Sequence, residues 1–192
     1  YGVAKKALFV MLDGYHQEYG LKSAVVVPVN LYGPGDNFNP ASSHVIPALI
    51  HKCEEARLHG NKEIICWGTG RATRQFLYVD DAAEAIIRAA ERIEQPAPIN
   101  IGGGEEIAIN DLVKIVIETC EYEGAVVWDN TKPDGQPRRA IAIEKARNLL
   151  DWSPVQGFEE GLKKTVDWYR MRNNEEFSTK RSVMSKEARH VA

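Results

Sequence analysis

Cysteine is scarce in this sequence, with only Cys53, Cys66 and Cys120 among 192 residues. An odd number without any Cys-x-x-Cys pair argues against a disulfide framework and against a zinc site, so each is expected as a small buried hydrophobe. No apolar run approaches the roughly 18 residues needed to span a bilayer, and no basic-then-apolar segment opens the chain. Charge of one sign is missing as well: 24 Lys plus Arg stand against 27 Asp plus Glu, a formal net charge of −3, which leaves no basic footprint for nucleic acid. A soluble, cytoplasmic chain is the expectation. No internal repeat is visible, and no methionine or lead-in precedes Tyr1, which enters a helical pattern at once. A chain that begins inside a larger fold is therefore expected.

What remains is ordinary globular material, 44% hydrophobic and 27% charged, enough for one domain or a large part of one. Val3, Ala4, Ala7, Leu8, Val10, Met11 and Tyr15 recur at three- and four-residue spacing, which predicts a helix over residues 1–19 stopped by Gly20. Ser23–Val29 reads as a strand buried on both faces. Asn30–Asn39, dense in Gly, Pro, Asp and Asn, reads as a loop. Ser42 or Ser43 is placed to cap a helix over Val45–His59 that ends at Gly60-Asn61. Short strands follow at Ile64–Trp67 and Arg74–Val79, then an amphipathic helix from Val79 through Ile93 with Asp80 and Asp81 in its first turn. Pro98–Ile101 reads as a strand ended by Gly102-Gly103-Gly104. That triplet has neither GxGxxG spacing nor a following Lys-Ser/Thr, so a tight turn is expected and not a phosphate loop. A helix capped at Asn110 or the residue before it runs to Cys120, Ala125–Trp128 is a strand, and Thr131–Arg139 is a polar loop. Ile143–Leu150 and Phe158–Arg172 are helical, and a disordered tail is expected over 174–192. Strands alternating with helices make this an α/β protein.

Tyr1 and Lys5, four residues apart, share one face of the first helix. An ammonium near a phenol stabilises the phenolate, which draws the phenol towards an acid/base role. Taken alone, Tyr-x-x-x-Lys is common by chance and reads as a solvated helix face. Its context is more specific: an apolar strand Ala24–Val27, then Pro28-Val29-Asn30-Leu31-Tyr32-Gly33-Pro34, and later Arg74-Gln75-Phe76-Leu77-Tyr78-Val79-Asp80-Asp81. In that order these segments resemble the extended short-chain dehydrogenase/reductase family, whose members act on nucleotide-sugars with bound NAD or NADP. Asp36-Asn37-Phe38, Ser43-His44-Val45-Ile46-Pro47-Ala48-Leu49, Trp67-Gly68-Thr69-Gly70 and Lys132-Pro133-Asp134-Gly135-Gln136-Pro137-Arg138 narrow the likeness to its GDP-L-fucose synthase subfamily. The similarity runs from about Tyr1 to Arg172.

The resemblance implies a Rossmann-type doubly wound sheet, of which residues 1–30 would be a remnant, and a small mixed α/β substrate-binding part over 31–173, with 74–101 returning to the Rossmann part. It implies C3/C5 epimerisation of GDP-4-keto-6-deoxy-D-mannose followed by NADPH reduction at C4, in a homodimer. By resemblance, Tyr1 protonates the C4 oxygen and Lys5 holds the nicotinamide ribose. His44 is the acid of epimerisation, and Pro28, Asn30 and Leu31 join these three along the NADP(H) site. Asn30, Lys52, Trp67, Arg74 and Lys132 would hold the GDP-sugar. Lys52 departs from the subfamily, where a guanidinium is common; a lysine keeps the charge and loses the bidentate fork. No metal is implied. On its own terms His44 also reads as a loop histidine capping the helix at Val45, and each lysine or arginine as a solvated charge.

The sequence contains no Gly-rich strand-turn-helix to receive a dinucleotide pyrophosphate, no serine or threonine partner for Tyr1, and no cysteine assignable as the second epimerisation residue. The 192-residue chain is accordingly expected to be inactive alone and to bind NADP poorly. Two alternatives stay open: another extended short-chain dehydrogenase acting on a different nucleotide-sugar, and a non-catalytic nucleotide-sugar-binding module.

Overall fold

A computed structural model describes residues 1–173; the tail expected over 174–192 lies outside the described residues. The elements are α1 (Gly2–Tyr19), β1 (Val26–Pro28), β2 (Asn30–Tyr32), α2 (Val45–His59), β3 (Glu63–Trp67), β4 (Thr73–Tyr78), α3 (Val79–Arg92), β5 (Ile99–Ile101), β6 (Glu106–Ala108), α4 (Ile109–Cys120), β7 (Ala125–Asp129), β8 (Arg138–Arg139) and α5 (Glu144–Leu150). A sixth helix, α6, covers 158–173. The result is the expected α/β class, built from parallel and mixed sheets. β1 pairs with β5 and β3 with β7, both in parallel. β4 is the hub of the third sheet: its C-terminal half runs parallel to β2, and its N-terminal half is antiparallel to β6 and parallel to β8.

Two apolar cores follow from the helix periodicities. In α3 the small residues Ala82, Ala85 and Ala89 are buried and let the helix sit close on Leu77, Ile99 and Ile101, with Ala146, Leu150 and Trp152 closing the cluster. The second core gathers Ile46, Leu49, Ile50 and Cys53 of α2, Leu112, Val113 and Val116 of α4, and Leu162, Val166 and Tyr169 of α6. All three cysteines are buried and unpaired, as expected for apolar packing. By contrast, α1 buries none of its residues. Among the described residues, no helix is long and apolar enough to cross a membrane.

Several expectations are corrected. The strand expected over Ser23–Val29 is only Val26–Pro28, and Val26 and Val27 are half-buried. Val29 still donates to the Ile101 carbonyl, after which the chain passes from β5 to β4 and continues as β2 inside the segment read as a loop. Neither serine caps α2; the N-cap is His44. Ser42 and Ser43 donate their amides to Asn39, and the Asn37 side chain holds Ser42, so both serines belong to the preceding turn. At α4 the N-cap is Ala108, without a side-chain cap bond. The Ile109 and Asn110 amides are received by the carbonyls of Ala72 and Gly70, which remove the need for one. β6 and β8 read as loop because strands so short are defined by pairing to β4 and not by their own pattern.

The glycine triplet is a close-approach turn. A Cβ on Gly103 would sit inside the Phe76 carbonyl oxygen, and Gly104 has φ +82°. Gly103→Ala is expected to cost about 2–3 kcal/mol by overpacking against backbone, read as a lower urea midpoint at unchanged slope.

Candidate functional site

The pairing of β2 with β4 sets Asn30 opposite Phe76, and the Asn30 amide donates to the Gln75 carbonyl at 3.1 Å. The N-terminus of α2 brings His44 to the same place, and Arg74 projects from β4. Together with Leu31 and Asp134 these residues line a cavity of about 310 Å³. Leu31 and His44 also border a second cavity of about 220 Å³, walled by Gly33, Pro34, Gly35 and Asp36. His44 makes no side-chain cap bond, so its imidazole is not occupied by the helix start and is exposed between the two cavities. The Arg74 guanidinium donates to its neighbour's carbonyl, Thr73, at 2.7 Å. Among the described residues it has no carboxylate partner, which leaves its charge for an anion.

Beside this cavity lies a cationic platform. Trp67, at the end of β3, is 67% exposed. The ammonium groups of Lys52 and Lys132 stand 5.8 and 5.7 Å from its ring. Lys52 is steered there by donating to the Ile65 carbonyl at 2.9 Å. Asp134, which has no assigned role from sequence, joins the two places. Its carboxylate accepts from the Thr69 amide at 2.5 Å and the Thr69 hydroxyl at 2.6 Å, and the same residue lines the Arg74 cavity. The bond from the Thr69 hydroxyl, followed by that from its amide, holds the Asp134 carboxyl below its ordinary value. Both partners lie in Gly-rich turns, a usable signal for Asx-type bonding, yet nothing in the sequence says that turns so far apart meet.

Of the sequence-derived residues, Asn30, Leu31, His44 and Arg74 share one cavity, and Lys52, Trp67 and Lys132 form one stack. Tyr1 and Lys5 are on one face of α1 as the spacing required, with the ammonium 5.4 Å from the ring. They stand apart from this group: Tyr1 is 98% exposed, and neither residue lines the cavities that contain His44. Pro28 is exposed at the end of β1, opposite Ile101. No group of His, Cys, Asp and Glu that could hold a metal ion occurs among the described residues.

Comparison with known proteins gives a consistent picture. The family model for the NAD dependent epimerase/dehydratase family matches residues 1–102. GDP-L-fucose synthase 1 of Arabidopsis thaliana is 41% identical over 169 residues, covering 88% of this chain and 52% of that protein. The chain thus spans about half the length of the curated relatives it matches. A GDP-L-fucose synthetase from Naegleria fowleri, solved bound to NADP, superposes with a TM-score of 0.81 at 30% identity, over 91% of this chain and 56% of that one. UDP-glucose 4-epimerase from Thermotoga maritima, solved with UDP-glucose, gives a TM-score of 0.80 at 29% identity over 90% and 53%.

Proposed function

Because the chain belongs to the NAD dependent epimerase/dehydratase family, we propose that it carries the substrate-binding and proton-transfer part of an NADP(H)-dependent epimerase-reductase that converts GDP-4-keto-6-deoxy-D-mannose to GDP-L-fucose. The observation that supports this reading most is the meeting of His44, Asn30 and Arg74 in one cavity beside the Trp67 platform with its two lysines. A nucleoside diphosphate needs cations at its phosphates and a flat apolar partner at its base; Arg74, Lys52 and Lys132 supply the first and Trp67 the second. Asn30 orients the sugar. His44 is the acid that returns a proton beside the C4 ketone: inversion at C3 and C5 needs a base that takes the proton from one face of the ring, a group not assigned among the described residues, and a donor that returns one on the other. By the resemblance, Tyr1 gives its phenolic proton to the C4 oxygen as that oxygen becomes an alkoxide and Lys5 supports the phenolate that remains, which requires α1 to meet the His44 cavities that neither residue lines here.

The residues present suit a nicotinamide nucleotide. Lys5 has no carboxylate partner among the described residues and keeps its ammonium by Tyr1. The second cavity, between Leu31 and His44, is bordered by Asp36, whose buried Oδ2 has no donor, an acceptor suited to a carboxamide. Pro28, exposed at the end of β1, is assigned to the same ligand by the resemblance alone. When bound, the nicotinamide supplies the hydride for C4. NADP is the form bound in the structure of the Naegleria relative. The return of much of 74–101 to the first part has support in Leu77, Ile99 and Ile101 sharing a cluster with Ala24 and Val26, which Ala146, Leu150 and Trp152 of the later segment also join, while Phe76 and Tyr78 pack in the other core. A homodimer is part of the same reading, carried by the unburied apolar residues of α1, among them Val3, Val10 and Met11.

Calorimetric titration of the chain tests the substrate assignment. GDP and GDP-mannose are expected to bind, and Arg74→Ala is expected to weaken both about 10-fold or more, the loss of one charge-assisted hydrogen bond of about 1.5–3 kcal/mol. UDP binding as tight as GDP would move the substrate to the class of the Thermotoga relative. Absence of binding to either would reject the nucleotide-sugar reading.

A further inference from the structure

The segment between β7 and β8 is a strap tied at three places. At its start the Asp129 carboxylate accepts from the Thr131 amide at 3.0 Å, and the Asp129 carbonyl accepts from Lys132 at 3.2 Å. At its end the Pro137 carbonyl accepts from Thr73 at 2.9 Å, β8 registers on Thr73 and Arg74, and the Arg138 guanidinium grips Glu106 with Nε–O distances of 3.0 and 2.9 Å. The end ties are backbone pairing or exposed ion pairs that any loop of this kind would carry. The middle tie is different, because it crosses to another part of the molecule: both oxygens of Asp134 are taken by Thr69, in the Gly68-Thr69-Gly70 turn that follows Trp67.

That turn is built to receive the carboxylate. Gly68 has φ +80°, and a Cβ there would overlap the Asp134 carboxylate; Gly70 has φ +72°, and a Cβ there would meet the Trp128 ring and Asn110. The turn therefore has glycine where a side chain would either prevent the required conformation or block the strap. Two residues before Asp134 is Lys132, whose ammonium stands over the face of Trp67. One residue after it is Gly135, with φ +73°, where a Cβ would lie 3.8 Å from the Arg74 guanidinium. Asp134 thus ties the strap to the turn after Trp67 at a point between Lys132, whose amide is also held by Asp129, and Gly135 beside Arg74.

We propose that Asp134 is a positioning residue for the nucleotide site, latching the 129–137 strap to the 68–70 turn so that Lys132 and Arg74 face the same ligand. The inference rests on the nucleotide-sugar reading for what the ligand is, but the latch is made by residues of this chain alone. Its charge is held by two Thr69 donors, consistent with an acceptor that stays ionised. Removing the carboxylate frees the middle of the strap, so that Lys132, then held only through its amide hydrogen bond to Asp129, loses its fixed place beside the ring while the fold stays intact, because the end ties do not use Asp134.

The test compares the wild-type chain with Asp134→Ala, Asp134→Asn and Thr69→Val. Ligand-free NMR reads the Thr69 amide by hydrogen exchange and the Trp67 indole by chemical shift, and calorimetry reads GDP. Asp134→Ala is expected to lose Thr69 protection, to shift the Trp67 indole and to weaken GDP about 10-fold. Asp134→Asn keeps one acceptor, and Thr69→Val loses only the hydroxyl, so both fall between; melting temperatures change little. An unmoved Trp67 indole in Asp134→Ala, or GDP binding within twofold of wild type there, overturns the proposal. If the wild-type chain binds no GDP, the nucleotide reading fails, and the indole and amide still decide the latch.

Discussion

If the protein carries out the proposed reaction, His44→Ala is expected to reduce exchange of the C3 and C5 protons with deuterated solvent by about 10²–10⁴-fold, the span of one positioned acid/base group. Reduction at C4 of a sugar already epimerised should stay within a few-fold of wild type, since that proton comes from Tyr1 in the proposed mechanism. The split follows from where the imidazole is. It sits at the helix start without serving as a cap, and it borders both the Arg74 cavity and the cavity beyond Leu31. Since its side chain makes no cap bond, the substitution should leave stability nearly unchanged, and a lost exchange reaction cannot then be blamed on unfolding. Deuterium incorporation by NMR is the measurement. Persistence of exchange at both carbons would remove His44 from proton transfer. The cysteines offer no substitute among the described residues: all three are buried. Burial pushes the Cys66 thiol up, and Cys120 is raised by its hydrogen bond with Cys53 and then by burial.

What the sequence made legible divides along physical lines. Helices were readable because their apolar spacing is local: α2 begins and ends at the expected residues, and Gly20 and Gly60 take the left-handed conformation expected of a C-terminal stop. Strands whose existence depends on a partner were not. β2 carries Asn30, a poor strand former, and β8 is two residues long, yet both are held by β4. The same split holds for the site. Side chains that carry their own chemistry, such as His44, Arg74 and Trp67, could be put forward as candidates from motifs, and His44 and Arg74 meet in one cavity. Asp134 could not, because its role comes from a turn 65 residues away. Capping failed for a related reason: at α4, backbone carbonyls from the β3–β4 turn do the work that a polar side chain was expected to do.

Glu54→Leu should be the most destabilising of these substitutions, at about 3 kcal/mol, the low end of what breaking a buried ion pair costs. The low end applies because the two arginines left behind are partly exposed: Glu54 is 3% exposed, against 26% for Arg170 and 41% for Arg57. The carboxylate accepts from Arg57 at 2.8 Å and from Arg170 at 3.1 and 2.8 Å. Arg170 also donates to the Cys120 carbonyl at 2.8 Å, so one acid ties α2 to α6 and to the end of α4. A loss of that size corresponds to a melting temperature lower by about 6–12 °C for a chain of this length. It should also carry a pH signature. Burial pushes the Glu54 carboxyl up, but the bonds from Arg170 and Arg57 outweigh it and leave the group below its ordinary value of 4.5. A carboxyl lowered on folding contributes stability above its unfolded value, and that contribution disappears as pH falls through the folded value. The gap between wild type and Glu54→Leu should thus be constant at neutral pH and narrow in acid below about 4.5. Urea unfolding of both proteins at pH 7 and at descending acid pH measures it. A neutral-pH gap under about 1 kcal/mol would mean that Glu54 behaves as a surface ion pair, and that the packing of α2, which carries His44 and Lys52 into the site, does not depend on it.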